Sequence, residues 1–296
     1  YDIGVVSSVN LNHATPAAFY CHQASRNNYY EIGEELIASD FDYFAGGALL
    51  KPNGADGDKE SLYDRAEKAG YKVVNTQAEA EKISDKDEKV LLISEKLADG
   101  DSISYENDRA NGEWALSDYV DKGIEVLSDN EKGFFMMVEG GKIDWACHAN
   151  DAGSAINDTI ALADAVDEAV EFANEHPDET LILVTGDHET GGLTIGYAGT
   201  DYDTYLTNLT NQKISYAKFD TDYVAKYKEN QTSFEDMMKD VEELFGLKMS
   251  GAEDDKLVLT EYEIGLLKDA YAKTLKKQIP KTRKNMFSTE PMNHCL

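Results

Sequence analysis

The segment that spans residues 138–148, V-E-G-G-K-I-D-W-A-C-H, combines carboxylates with a histidine. Asp144 and His148 are four positions apart, so in a helix their side chains would lie on one face. A carboxylate and an imidazole in that arrangement can supply half of a Zn²⁺ site. A surface Asp–His pair at a helix start would show the same pattern. The glycine pair after Glu139 lets the backbone turn sharply beside this carboxylate.

A second segment, T-G-D-H-E-T-G-G, places Asp187 and His188 next to each other after an apolar run. Neighbouring side chains on a strand point to opposite faces, but just beyond the strand both can turn toward one metal ion. A glycine-rich turn between a strand and a helix, with a solvated aspartate, is the alternative interpretation. The segment therefore predicts a second pair of metal ligands.

The third segment, N-H-A-T-P-A-A-F, covers residues 12–19. Thr15 before Pro16 predicts a helix N-cap followed by proline at the first helical position, and the hydroxyl can also face a metal. Arg26 follows eleven residues later, with a guanidinium that can hold a phosphoryl group through two hydrogen bonds. An arginine at a helix end is otherwise simply solvated.

Short apolar runs alternate with helical patterns in the first two thirds of the chain. Strands are predicted at residues 3–9, 89–94, 133–138 and 180–185. Helices are predicted at residues 29–38, 60–69, 113–127 and 149–174. This alternation indicates an α/β fold with a largely parallel central sheet and helices on both faces.

The character of the chain changes after residue 195, becoming acidic, tyrosine-rich and helical, with helices expected within residues 215–246 and 260–278. We therefore predict a metal-binding α/β core at 1–195, an insertion or cap at 196–285 and a truncated return to the core at 286–296.

All three chemical segments follow predicted strands, so they should meet at one edge of the sheet, where open α/β sheets bind ligands. The aspartates and histidines suit zinc, whereas Glu139 and Thr15 suit a harder ion such as Mg²⁺. Two metal ions about 4 Å apart can clamp the attacking and leaving oxygens of a phosphoryl transfer.

The composition restricts the partners of the chain. Its 296 residues include 57 acidic and 28 basic ones, giving a net charge of −29 that repels nucleic acid and anionic lipid. Binding a phosphate ester would require a local reversal of charge, which divalent cations can supply; a carboxylate-rich surface without metal is the alternative. We expect no specific nucleic-acid partner and no membrane span, and three widely spaced cysteines imply no disulfide framework.

These motifs resemble the alkaline phosphatase family, especially its bacterial branch with I-D-W-A-C-H. The similarity covers about residues 3–200 and includes F-x-x-V-E-G-G-x-I-D-x-x-x-H, V-T-x-D-H and S-R-N-x-Y. The resemblance implies hydrolysis of phosphate monoesters through a phosphoserine, two Zn²⁺ ions and one Mg²⁺ ion, a periplasmic or secreted location and a possible homodimer.

The resemblance also implies a role for individual residues. Asp144 and His148 correspond to ligands of one zinc, and Asp187 and His188 to ligands of the other. Glu139 and Thr15 correspond to magnesium ligands, and Arg26 corresponds to the arginine that binds the substrate phosphate. His13 and Trp145 occupy the two positions beside the magnesium site.

The chain also departs from the family pattern. The family has a bridging aspartate and a nucleophilic serine in a D-S-A turn upstream of the matched segment, and no D-S-A occurs here. His294, in M-N-H-C-L, lacks the context of the family's last zinc ligand. We therefore expect a fragment that lacks pieces at both ends and has no turnover by itself. A related phosphodiesterase or sulfatase, or a catalytically silent metal-binding chain, is the alternative.

Overall fold

The computed structural model describes residues 1–194 and 204–276. They form two compact units, with the boundary between Tyr216 and Ala217. The first unit contains a five-stranded, fully parallel sheet in the order β3-β4-β2-β1-β5. Its strands are β1 (Asp2–Ser7), β2 (Tyr43–Gly46), β3 (Lys72–Val74), β4 (Val90–Ile93) and β5 (Phe134–Glu139).

The helices of the first unit connect these strands and pack on the sheet. They are α1 (Ala14–Ala17), α2 (Tyr29–Ala38), α3 (Leu62–Lys68), α4 (Gln77–Ala80), α5 (Leu116–Leu127), α6 (Gly141–His148) and α7 (Ala152–Glu175), with α8 (Tyr216–Phe219) crossing the boundary. Because α7 is capped by the Asp151 carboxylate, which accepts a hydrogen bond from the Ser154 amide, its start is fixed close to the end of α6.

Two apolar cores lie on opposite faces of the sheet. Val5 and Phe44 point into the core formed with α2 and α3, whereas Val6 and Tyr43 point into the core formed with α5 and α7. This alternation follows from the two-residue period of a strand. It also explains why the last four residues of β1 and all four of β2 are buried, because both faces of these strands are covered.

The predicted strand at residues 180–185 is wrong. This segment lies outside every strand, and Leu181 and Leu183 are 80% and 81% exposed. A strand needs a hydrogen-bonded neighbour, and within the described residues β5 is paired only with β1. The segment therefore has the composition of a strand but no hydrogen-bonded partner strand among the described residues.

Two strands were not predicted, β2 and β3. They have four and three residues, too few to show a period in the sequence. The fold class is nevertheless confirmed, since the helices cover both faces of a parallel sheet.

The second unit, from Ala217 onward, is helical over its described residues. It contains a π-helical turn at Asp220–Val224, α9 (Ala225–Asn230), α10 (Phe234–Phe245) and α11 (Glu261–Lys276). Tyr227, Met237, Met238 and Val241 form a separate core there. The predicted boundaries at residues 195 and 285 stay predictions, and the final segment 286–296 lies outside the described residues. Within the described part of the chain, no helix combines the length and apolarity needed to cross a bilayer.

Candidate metal and phosphate site

The carboxyl ends of β1 and β5 lie side by side and begin the candidate site. Ser7 ends β1 and donates a hydrogen bond of 2.5 Å from its hydroxyl to the Oε2 atom of Glu139, which ends β5. At the end of β2, Gly46 has a φ of +131°, and a Cβ there would lie 1.8 Å from the carbonyl oxygen of Ser7. Only glycine allows this close approach of the two strand ends.

Glu139 is surrounded by groups that act on its charge. Burial raises the pKa of its carboxyl, hydrogen bonds from Ser7 and Thr15 lower it, and the carboxylates of Asp187 and Asp144 raise it further, with a net upward shift. A carboxylate that shares its surroundings with two others is stabilised by a cation, so this clustering suits a bound metal ion.

Thr15 lies inside α1 and is not its N-cap, contrary to the prediction. The N-cap is His13, which makes no side-chain capping hydrogen bond. The Thr15 hydroxyl instead hydrogen-bonds to Glu139, because the first turn of α1 is held against the end of β5. The two expected magnesium ligands are therefore in contact.

Helix α6 follows Glu139 directly and carries the first expected zinc pair. The Nε2 atom of His148 lies 3.4 Å from Oδ1 of Asp144, as the four-residue spacing predicted. Both side chains reach solvent, with the imidazole more exposed than the carboxylate. The pair thus presents one nitrogen and one oxygen ligand on the same side of the helix.

The second expected pair, Asp187 and His188, is exposed, with His188 Nε2 3.5 Å from Asp187 Oδ2. The Nδ1 atom of His188 lies 3.1 Å from the carbonyl oxygen of Glu189. A carbonyl only accepts, so Nδ1 carries the proton in this contact and Nε2 keeps its lone pair for a metal. The hydrogen bond to the Glu189 carbonyl raises the pKa of His188, and the charge of Asp187 raises it to a smaller extent.

Thr190 joins the two pairs, and the sequence reasoning missed it. Its hydroxyl donates a hydrogen bond of 2.6 Å to Oδ1 of Asp144 and lies 3.1 Å from Nδ1 of His188. The only signal was its position, two residues after His188 within the same glycine-rich segment. This contact places the two predicted half-sites next to each other without a strand at residues 180–185.

His13 and Arg26 form the cationic side of the site. An Nη2 atom of Arg26 lies 2.8 Å from Nε2 of His13, and since guanidinium only donates, the proton of the neutral imidazole is on Nδ1. Burial, reinforced by Arg26 and opposed by Asp144, lowers the pKa of His13 to about 4. The His13 ring also contacts the ring of Trp145 edge-on at 5.6 Å, which places Arg26 beside α6.

The residue types fit the implied metal ions, but the side chains lie in separate Asp–His pairs, each of which supplies only part of a metal site. Within residues 1–194 and 204–276, no three carboxylate, imidazole or thiol groups converge on one metal position. The aspartate and histidine pairs have the mixed oxygen and nitrogen ligands of zinc sites. The buried Nδ1 atom of His13 has no hydrogen-bond partner in the described structure, so it can donate to a bound ligand.

The fold and this site together define an α/β protein with two Asp–His pairs and a nearby arginine close to the carboxyl ends of β1 and β5. The family model for alkaline phosphatase matches residues 1–254, and the chain belongs to the alkaline phosphatase family.

Relatives and solved structures agree with this assignment. The chain is 36% identical to alkaline phosphatase 4 of Bacillus subtilis over 66% of its length and 42% of that protein, and 30% identical to alkaline phosphatase 3 of the same organism over 96% and 57%. It thus spans about half the length of these relatives. The cold-active alkaline phosphatase of Shewanella sp. superposes with a TM-score of 0.73 at 30% identity, covering 93% of this chain and 61% of that one.

A metal is present in another similar structure. A histidine-to-glutamate variant of the alkaline phosphatase from the Antarctic bacterium TAB5 has Mg bound, and it matches with a TM-score of 0.59 at 30% identity over 69% of this chain and 58% of that one. Metal binding is therefore a property of a solved relative of this chain.

Proposed function

We propose that this chain carries metal-binding and phosphate-binding residues of a site that hydrolyses phosphate monoesters. One observation carries the proposal: the paired ligands of α6 and of Asp187 and His188 are joined through Thr190, and the guanidinium of Arg26 lies beside them through His13. Cation ligands next to an exposed anion-binding side chain are the combination that phosphoryl transfer requires.

Asp144 and His148 would hold one zinc ion, and Asp187 and His188 the other. The lone pair on Nε2 of His188 supports this role, because the Glu189 carbonyl fixes the proton on Nδ1. When bound, such ions supply positive charge that stabilises the oxygens of a transferring phosphoryl group. Glu139 and Thr15, already in contact, would hold magnesium.

Arg26 would bind the phosphate itself. Its side chain is exposed, and the contact with His13 leaves other N–H groups of the fork available for phosphate oxygens. Because the arginine and the metal ions recognise the phosphoryl group rather than the rest of a substrate, a broad range of phosphate monoesters is proposed. The nucleophile lies outside what these residues supply, and its type would distinguish a monoesterase from a phosphodiesterase or sulfatase.

The test is titration calorimetry of inorganic phosphate with the zinc- and magnesium-loaded chain, the chelator-treated chain and Arg26→Ala. We expect Arg26→Ala to weaken phosphate binding by roughly 1.5–3 kcal/mol, the scale of a hydrogen bond to a charged group, without changing metal content. Arg65→Ala is the control, because Arg65 is paired with Glu34. Equal phosphate affinity in the wild type and Arg26→Ala would contradict the assignment.

A further inference from the structure

Lys142 is buried within the first turn of α6, with no solvent exposure. An ammonium group removed from water is costly unless charges and hydrogen bonds compensate it. Lys142 precedes Asp144 by two residues, about 200° around a helix, so the two side chains leave α6 on opposite sides. One side chain points into the protein while the other belongs to the candidate site.

The ammonium of Lys142 is fully engaged. Its Nζ atom lies 2.7 Å from Oδ1 of Asp99 and 2.8 Å from Oγ of Ser102, both in the loop that follows β4. It also lies 3.6 Å from the ring centroid of Tyr105 and 5.1 Å from that of Trp145. A cation held by a carboxylate, a hydroxyl and an aromatic face has little freedom to move.

The backbone of the same residue is fixed as well. The amide of Lys142 donates to Oγ of Ser8 at 3.1 Å, and the amide of Ser8 donates to the carbonyl oxygen of Glu139 at 3.0 Å. The amide of Ile103 donates to the carbonyl oxygen of Ser8 at 3.0 Å. Lys142 therefore ties α6 both to the chain leaving β1 and to the loop after β4.

These contacts matter because α6 is short. It has eight residues, and its outer face carries Asp144 and His148 at partly exposed positions. A tilt at the first turn would be transmitted to His148 at the last position of the helix. Building on the metal site proposed above, we infer that Lys142 is a positioning residue: its buried contacts hold α6 so that Asp144 and His148 are presented together to a zinc ion.

A purely structural role predicts something different, namely that loss of Lys142 lowers the stability of the fold and affects zinc only to that extent. The two roles are separated by Lys142→Met, which keeps length but removes charge, and by Lys122→Met as the matched control. Lys122 is also largely buried and bonds to the carbonyl oxygen of Ile83, but it lies on α5.

Two quantities are measured on the whole chain: the affinity for Zn²⁺, by competition with a chromogenic chelator, and hydrogen exchange of the α6 amides without metal. We expect Lys142→Met to weaken zinc binding by roughly 10- to 100-fold, the usual effect of losing a group that orients a ligand, and to accelerate exchange in α6. Lys122→Met should match the wild type in both measurements.

The double variant Lys142→Met/Asp99→Asn also removes the partly buried carboxylate that loses its partner in Lys142→Met, so it should recover stability. If zinc affinity recovers with it, or if α6 exchange is unchanged in both variants, the positioning role is wrong. Should Lys142→Met fail to fold, the double variant carries both measurements. A wild-type chain that binds no zinc contradicts the proposed metal site, and the exchange measurement then still decides whether Lys142 holds α6.

Discussion

Thr190 shows how much of the candidate site depends on a single hydroxyl. It contacts Asp144 on α6 and His188 in the segment after residue 180, two parts of the chain that share no strand pairing. The proposed ligand residues could be selected from the sequence because aspartate and histidine are metal-binding types and occur here at typical spacings. A threonine has no such signature, so its linking role could come only from coordinates.

We expect Thr190→Val, which keeps the shape of the side chain but removes the hydroxyl, to weaken zinc binding roughly tenfold. The reason is that Asp144 and His188 lose the group that orients both. Chelator competition measures the change. Thr159→Val, which removes a hydroxyl that bonds to the Ala155 carbonyl of its own helix, should leave zinc binding unchanged. If Thr190→Val and Thr159→Val bound zinc with the same affinity, Thr190 would have no role in orienting the ligands.

Asp158 on α7 predicts a pH dependence of stability. Burial raises its pKa from 3.8 to about 7, with Glu106 and Asp108 adding to the shift and a hydrogen bond from the Glu106 amide and Lys142 opposing it. The folded state therefore binds a proton that the unfolded state has released between these values. The ionisation of Asp158 therefore lowers the free energy of unfolding as pH rises between these two pKa values. Above the folded pKa, the whole destabilisation by the buried carboxylate is present.

Asp158→Asn should accordingly raise the free energy of unfolding at pH 8 by up to about 4 kcal/mol relative to the wild type. The gain should shrink as pH falls and vanish below roughly pH 3, where the wild-type carboxyl is protonated in both the folded and the unfolded state. Urea unfolding at several pH values measures it. Asp167→Asn, at an exposed position of the same helix, serves as the control and should show no comparable trend. A pH-independent difference for Asp158→Asn would refute the explanation.

At the scale of elements, the turn from β5 into α6 determines where the ligands begin. The sequence predicted that the glycine pair serves a sharp turn, but neither Gly140 nor Gly141 has a positive φ. Space is the reason instead. A Cβ at Gly141 would lie 2.8 Å from Cγ1 of Val9 and 3.0 Å from the carboxylate of Glu139.

Gly141→Ala should therefore destabilise the chain by about 1–3 kcal/mol, the range found for overpacking, and displace Glu139. Chemical denaturation measures the first effect. Gly265→Ala is the matched control because it lies in α11 with open space around it, and it should be stabilising by roughly 0.5–1 kcal/mol from helix propensity. If Gly141→Ala were as stable as the wild type, the close packing at this turn would not matter.

The elements also show what sequence alone can and cannot give. Helix α2 was predicted at its observed ends, and its buried residues Ile32 and Leu36 are four positions apart, on one face of the helix. Residues 180–185 were misread because apolar β-branched composition indicates a strand only if a neighbour pairs with it. Pairing between distant segments is not encoded in local pattern, whereas β2 and β3 were missed because they are too short to show a period.

The negative charge of the whole molecule opposes phosphate binding at the candidate site. A chain of net charge −29 repels phosphate, and Arg26 is a single cation against the carboxylates of Glu139, Asp144 and Asp187. The fold class and the family were predictable from motifs, and the zinc ligands stay a prediction. The contact between Arg26 and His13 was not, because these residues are separated by a turn whose path the sequence does not specify.

Charge reversal gives a direct expectation. Phosphate binding by the chelator-treated chain should be undetectable and should appear after zinc and magnesium are added, because divalent cations are needed to overcome the acidic field. Raising the ionic strength screens the field of the exposed carboxylates, so it should only partly reduce the difference in phosphate affinity between the metal-free and the metal-loaded chain. Tight phosphate binding by the metal-free chain would contradict this explanation.

In the proposed site, Asp144, His148, Asp187 and His188 bind zinc. The most direct measurement is anomalous X-ray diffraction at the zinc edge from crystals of the chain soaked in Zn²⁺. We expect anomalous peaks about 2.0–2.2 Å from the ligand atoms of Asp144 and His148 and from those of Asp187 and His188. We also expect the second peak to be lost in a variant that carries Asp187→Ala and His188→Ala, but not in His22→Ala, which changes an exposed histidine outside the site. Zinc bound only at other side chains, or peaks unchanged in the double variant, would contradict it.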